Sequence, residues 1–231
     1  MDEVKQLVTD IKNKNLKPIY FLMGEEPYYI DKISDFIEAN VLDESEKGFN
    51  QMVLYGRDVS VDDIVSNAKR YPMMAERQVV IVKEAQDLSR TFDKLDDYAK
   101  NPQPSTVLVL CYKYKTVDKR KAVYKAIKKS GVVFESKKLY DNQVPDWINN
   151  YLRDKGFTIQ PAATALIAEY LGTDLSKVVN ELDKLVINLP AKTTITAELR
   201  IRWRGQFGSG IFVATWNIVV PGQIKTGDVF S

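Results

Sequence analysis

"PIYFLMGEEPYYID", residues 18–31, runs from an unbroken apolar segment through a single glycine into an amphipathic one. Ile19 to Met23 is short and shows no polar alternation, which is the pattern of a strand buried on both faces. Beyond Gly24, "EPYYIDKISDFIEANVL" carries an apolar stripe at helical spacing. The same unit recurs outward in both directions. "DEVKQLVTDIKN" (2–13) reads as a helix ahead of it, and four later runs read as strands: "QMVLYG" (51–56), "QVVIVKEA" (78–85), "STVLVLCY" (105–112) and "VVFES" (132–136). Helical patterns fall between them in "SVDDIVSNAKR" (60–70), with Ser60 as N-cap, "TFDKLDDYAKN" (91–101) and "DKRKAVYKAIKKSG" (118–131). Residues 1–140 are therefore expected to form a three-layer α/β domain around a parallel sheet.

After Tyr140 the strand signals stop. "NQVPDWINNYLRDKG" (142–156), "QPAATALIAEYLG" (160–172) and "DLSKVVNELDKLVINL" (174–189) are three amphipathic helices, with Pro161 at a helix start and Gly156 and Gly172 at helix ends. They predict a small helical second domain over 141–199. Residues 200–231 differ again: they hold five of the eleven glycines, two of the three tryptophans and no leucine. Four of the 33 basic residues and one of the 31 acidic ones lie in this stretch, so the rest of the chain is nearly neutral despite the net charge of +2. Global charge gives no footprint of a dedicated nucleic-acid binder. The single cysteine, Cys111, excludes an internal disulfide and sits inside an apolar strand, as expected in a reducing, cytoplasmic setting. No apolar run approaches the roughly 18 residues of a membrane span, and the N-terminus lacks a signal-peptide core.

A strand, a glycine and a helix in that order are where phosphate-binding loops place their backbone amides. Here "GEEPYYID" lacks the second glycine, the phosphate-binding lysine and the magnesium-binding Ser or Thr, and Glu25 and Glu26 repel phosphate. Where a later strand should end on a magnesium-binding aspartate stands Lys83. With no histidine and one cysteine, neither histidine-based catalysis nor a Cys-rich zinc site is available. The adjacent acids Glu25/Glu26, Asp62/Asp63 and Asp96/Asp97 read as solvated carboxylates, since neighbours on a helix point apart. No catalytic residue, metal ligand or cofactor site is assigned.

Two segments remain. "YKYKTVDKRKAVYKAIKKSG" (112–131) interleaves tyrosine with lysine, as single-strand nucleic-acid binders do. Ala122, Val123, Ala126 and Ile127 nonetheless make an apolar helical face, leaving Lys121, Lys125 and Lys128 on a solvated back as candidate weak DNA contacts. "RYPMMAERQVVIVKEA" (70–85) puts Met73 and Met74 behind a helix-ending proline, in a short connection. Methionine either plugs a core gap or lines an adaptable binding surface, and the residues alone leave both open.

The order of these segments resembles the delta subunit of the bacterial DNA polymerase III clamp loader. The likeness covers residues 1–199 and is carried by "PIYFLMGEEPYYIDK", "PMMAERQVVIVKEA", "DKRKAVYKAIKK" with "VVFES" and "VPDWI", and "YLGTDLSKVVNELDKL". It implies an AAA+/P-loop-NTPase-like first domain with a degenerate phosphate loop, followed by a three-helix lid. It also implies a non-catalytic role in DNA replication: Pro72, Met73 and Met74 would enter an apolar pocket on the ring-shaped sliding clamp and help open it. ATP would be bound and hydrolysed by partner subunits, and primer-template DNA met indirectly. The family's third, leucine-rich collar domain has no counterpart in 200–231. Assembly with the ATPase subunits and the second loader partner is accordingly expected to fail, and a shifted reading frame, an artificial end or divergence would each produce such a tail. The competing readings are a nucleotide-dependent AAA+-type enzyme and a free-standing DNA-binding module.

Overall fold

The computed structural model describes residues 2–187, 189–190 and 192–196. The change of character at Arg200 lies outside them. The chain divides into two compact units at Lys138–Leu139. In the first, the order is α1 (Asp2–Lys12), β1 (Ile19–Gly24), α2 (Pro27–Asn40), α3 (Glu44–Asn50), β2 (Gln51–Tyr55), α4 (Val61–Ala68), β3 (Gln78–Lys83), α5 (Asp96–Lys100), β4 (Thr106–Lys113), α6 (Ala122–Ser130) and β5 (Val132–Ser136).

The five strands form one parallel sheet in the order β2-β3-β4-β1-β5, so β1 and β4 are central and β2 is an edge. Strand side chains alternate between two separate cores. Ile19, Phe21, Met23, Val80, Val82, Leu108 and Leu110 face one way, packed with residues of α4, α5 and α6. Tyr20, Leu22, Val79, Ile81, Val107, Val109 and Cys111 face the other, under α1 and α2. Apolar runs without alternation are what a sheet covered on both faces requires, and the three-layer class read from the sequence is the one observed.

Local departures have local causes. Residues 91–101 are not one helix: Phe92–Leu95 form a 3-10 turn that swings Phe92 beneath the sheet, with ring centroids 5.1 Å from Phe21 and 5.5 Å from Tyr112, before α5 begins. On α6 the buried face is Val123, Tyr124 and Ile127, whereas Ala122 is exposed; the tyrosine ring takes the place assigned to that alanine. Ser60 caps α4 as expected, accepting from the Asp63 amide at 3.1 Å while the Asp63 carboxylate accepts from Ser60. Helix α3 had no recognised signal in the sequence.

Cys111 is fully buried in β4, and desolvation pushes its thiol up to about 11. Tyr98, also buried, is pushed up to about 12 by the same cause. Both groups ionise at lower pH when unfolded, so the native state keeps their stabilisation below the unfolded values and loses it as pH rises through the folded ones. Stability is therefore expected to fall across pH 9–11 from Cys111 and 10–12 from Tyr98. Each contributes roughly 2 to 3 kcal/mol. Chemical denaturation at stepped pH checks this: Cys111→Ala should flatten the first part of the decline, and an unchanged slope would refute the assignment.

The second unit contains α7 (Val144–Asp154), β6 (Thr158–Ile159), α8 (Pro161–Leu171), α9 (Leu175–Ile187) and β7 (Thr194–Ile195). The three helices are as read, with Pro161 in the first turn of α8 and Gly172 ending it at φ +66°. Strands do not stop at Tyr140, however. β6 and β7 pair in parallel, Thr158 opposite Thr194 with their hydroxyls 2.7 Å apart. Two-residue strands are too short to show periodicity in sequence. Trp147 stacks on Tyr151, whose hydroxyl donates to Asp183 at 2.7 Å and so ties α7 to α9. Buried among these helices are Ile148, Leu152, Leu175, Val178 and Leu182.

Candidate functional site

The connection from α4 to β3, Lys69–Arg77, is held at both ends and in the middle. At the α4 end, the Gln78 side-chain amide donates to the Arg70 carbonyl (2.6 Å) and the Thr106 hydroxyl (2.8 Å), with the Asn67 carbonyl also in reach (3.1 Å), and the Thr106 hydroxyl in turn donates to the Ala68 carbonyl (2.8 Å). The Ala68 carbonyl is left without its helical partner because that partner would be Pro72, which brings no amide hydrogen. At the far end Arg77 donates to the Pro104 carbonyl at 3.2 Å. In the middle the side chain of Asn50 accepts from the Met73 amide (2.6 Å) and donates to the Met73 carbonyl (2.9 Å).

This framing leaves the methionines outside the core. Met74 is fully exposed and Met73 is 55 % exposed, beside exposed Tyr71 and half-buried Pro72. Met74 also has φ +54°, a left-handed conformation that costs a side-chain-bearing residue about 1 kcal/mol or more. Of the two uses of methionine left open by the sequence, gap-filling is therefore excluded. Phe49, the neighbour of Asn50 at the end of α3, is 74 % exposed. Asn50 and Gln78 went unread as positioning residues. A polar residue opening an otherwise apolar strand was a usable signal for Gln78; nothing local marked Asn50, which acts 23 positions away.

In the loop after β1, where a phosphate-binding loop offers its amides, several amides are already engaged by the protein itself. The Gly24 amide donates to the Lys115 carbonyl (3.1 Å) and the Glu26 amide to the Ser136 carbonyl (3.3 Å). The Glu26 carboxylate accepts from the Tyr28 amide at 2.9 Å, capping α2. Glu26 is 3 % exposed, so its reading as a solvated carboxylate is corrected: the helix N-terminus draws it inward. At the ends of β3 and β4, Lys83 pairs with Asp35 (2.8 Å), and Lys113 pairs with Asp31 (2.8 Å) and Glu84 (2.9 Å). Burial works against both ammonium charges, yet the hydrogen-bonded carboxylates outweigh it and hold both pKa values above the ordinary lysine value. Among the described residues no group of three or more His, Cys, Asp or Glu could hold a metal ion, and no helix is long and apolar enough to cross a membrane.

Part of the basic segment is ion-paired, mostly with carboxylates from outside it. Lys119 pairs with Glu135 (2.6 Å), Arg120 with Asp118 (2.8 Å) and Lys121 with Asp93 (2.8 Å). The Arg120 guanidinium holds the Asp118 carboxyl down at about 2. Of the three candidate DNA contacts, Lys121 is thus engaged, while Lys125 and Lys128 are exposed on α6 and form no ion pair among the described residues.

Residues 20–137 match the family model described as DNA polymerase III, delta subunit. The chain is 28 % identical over 197 residues to the DNA polymerase III subunit delta of Bacillus subtilis, covering 81 % of this chain and 57 % of that protein. Among solved structures it is similar to the Bacillus subtilis DNA clamp loader delta protein YqeN, with a TM-score of 0.67 and 26 % identity over 84 % of this chain and 60 % of that one. The chain thus spans less than two thirds of the length of these relatives. A model match over more than half of the chain, on a fold shared with a solved delta protein, places it: the chain belongs to the DNA polymerase III delta subunit family.

Proposed function

We propose that this chain is a clamp-loader subunit that docks on the sliding clamp through Met73 and Met74, flanked by Pro72, and helps to open the ring without catalysing a reaction itself. The observation that carries this reading is the Met73–Met74 turn: two large apolar side chains held out in water by part-buried hydrogen bonds to the Met73 backbone, one of them in a strained backbone conformation. Solvent alone gives no reason to keep them there, whereas an apolar pocket does, since burying each side chain contributes roughly 1.5 to 3 kcal/mol before association costs. Family membership supports the choice of partner: a delta subunit is a clamp-loader component, and the sliding clamp is the partner we propose for it. The first domain, residues 1–140, is the part that makes this contact. ATP chemistry falls to the ATPase subunits of the loader, and contact with primer-template DNA is indirect. Titration of the chain against the sliding clamp from its own source tests the docking directly, and an absence of binding would overturn it.

The non-catalytic part of the proposal is supported by the loop after β1, where Glu26 and the carbonyls of Lys115 and Ser136 take the donors that a phosphate would need. Mg-ATP is therefore expected to leave the melting temperature unchanged. A ligand at a hundred times its dissociation constant adds about 2.7 kcal/mol, which a melting scan registers easily. A saturable upward shift would favour the nucleotide-dependent enzyme instead.

A further inference from the structure

We infer that Asn50 is a positioning residue for clamp docking: its side chain fixes the Met73 backbone so that Met73 and Met74 are presented in a preformed turn. This rests on the docking role proposed above. Asn50 closes α3 and is 5 % exposed, yet its carboxamide serves the core very little. One amide hydrogen goes to the Glu46 carbonyl within its own helix (3.2 Å), the other to the Met73 carbonyl (2.9 Å), and the oxygen accepts from the Met73 amide (2.6 Å). Donor and acceptor together reproduce the pairing that a strand neighbour would offer a single residue, in a loop that has no such neighbour.

Gln78 and Thr106 anchor the loop only as far as Arg70, and Arg77 anchors it from the other side. Without Asn50, the six residues Tyr71–Glu76 would hang between those points, and nothing would hold Met74 at φ +54°. A loop ordered only on docking loses affinity through the entropy of ordering it, whereas a preformed one does not.

The test uses the full chain with Asn50→Ala and Asn50→Asp, measuring clamp affinity, melting temperature and hydrogen exchange at the Met73 amide. Asn50→Ala should bind the clamp about tenfold or more weakly and lose protection at Met73. Asn50→Asp adds a readout that a merely structural role would not move. Its carboxylate accepts from the Met73 amide but repels the carbonyl; once protonated it offers one donor and one acceptor, as the carboxamide does. Its affinity relative to the parent should therefore recover as pH falls through the carboxyl range, about 4 to 6. Parent-like clamp binding by Asn50→Ala, or an Asn50→Asp defect indifferent to pH, would overturn the inference. If the parent itself does not bind the clamp, the docking role fails and the inference fails with it, whatever the exchange at Met73 shows.

Discussion

Met73→Asp combined with Met74→Asp is expected to abolish the proposed clamp binding and to leave the fold untouched. The first half follows from desolvation: a carboxylate entering an apolar pocket loses its water and finds no partner, so the lost contact becomes a penalty. Two buried methionines contribute roughly 3 to 6 kcal/mol, which alone corresponds to a hundredfold or greater loss of affinity. The second half follows from exposure. Neither side chain is part of either core, and the hydrogen bonds that hold the turn run through the Met73 backbone, which substitution preserves. Aspartate also tolerates the left-handed conformation of residue 74 at least as well as methionine. The melting temperature and circular dichroism should stay within the range of ordinary surface substitutions, about 0.5 kcal/mol. Clamp binding that survives both changes would remove the turn from the docking surface.

Gly24→Ala has the opposite profile. A Cβ on Gly24 would lie 2.0 Å from the Ser136 carbonyl oxygen, and the backbone sits at φ +139°. Nothing flexible is in the way: the obstacle is the backbone at the end of β5, hydrogen-bonded to the Glu26 amide. Either the loop after β1 or the end of β5 must move. The expected cost is about 4 kcal/mol or more, lowering the melting temperature by roughly 8 to 16 °C. Gly48→Ala is the matched control. That glycine lies inside α3 with no atom within 4 Å of an added Cβ, so the substitution should stabilise by roughly 0.5 to 1 kcal/mol. Equal melting temperatures for the two variants would show that the tight approach at Gly24 is not required.

The inner strands β1, β3 and β4 were readable because each carries an uninterrupted apolar run, and only a sheet covered on both faces can bury both sides of "YFLM" or "VLVLC". The long helices were readable from their stripes and from caps such as Ser60 and Gly172. What escaped was set by tertiary contact. Glu26 looks like any loop carboxylate until α2 supplies a helix terminus, and the buried face of α6 is completed by Tyr124 rather than Ala122. The two-residue strands of the second unit have no period to detect. At the candidate site, Met73 and Met74 stood out by chemistry and by the proline before them, but their exposure did not: apolar residues after a helix are as easily core. Asn50 was invisible because its partner is distant in sequence and the bonds fall on backbone atoms, which carry no residue identity. The ion pairs of the basic segment were equally illegible, since the carboxylates that pair with Lys119 and Lys121 come from β5 and from the turn before α5.

Glu26 can also be considered as a tethered competitor. Its carboxylate occupies the start of α2 through a link of two residues, so at the Tyr28 amide its effective concentration is on the order of millimolar or higher. Any free anion arriving there must displace a rival that never diffuses away. Deleting the carboxylate with Glu26→Ala would remove that rival but leave the Gly24 and Glu26 amides committed to Lys115 and Ser136, so it would expose a helix end without restoring a cradle. Freeing those amides for an anion would take coordinated changes in three separate segments, the β1 loop, the stretch after β4 and the end of β5.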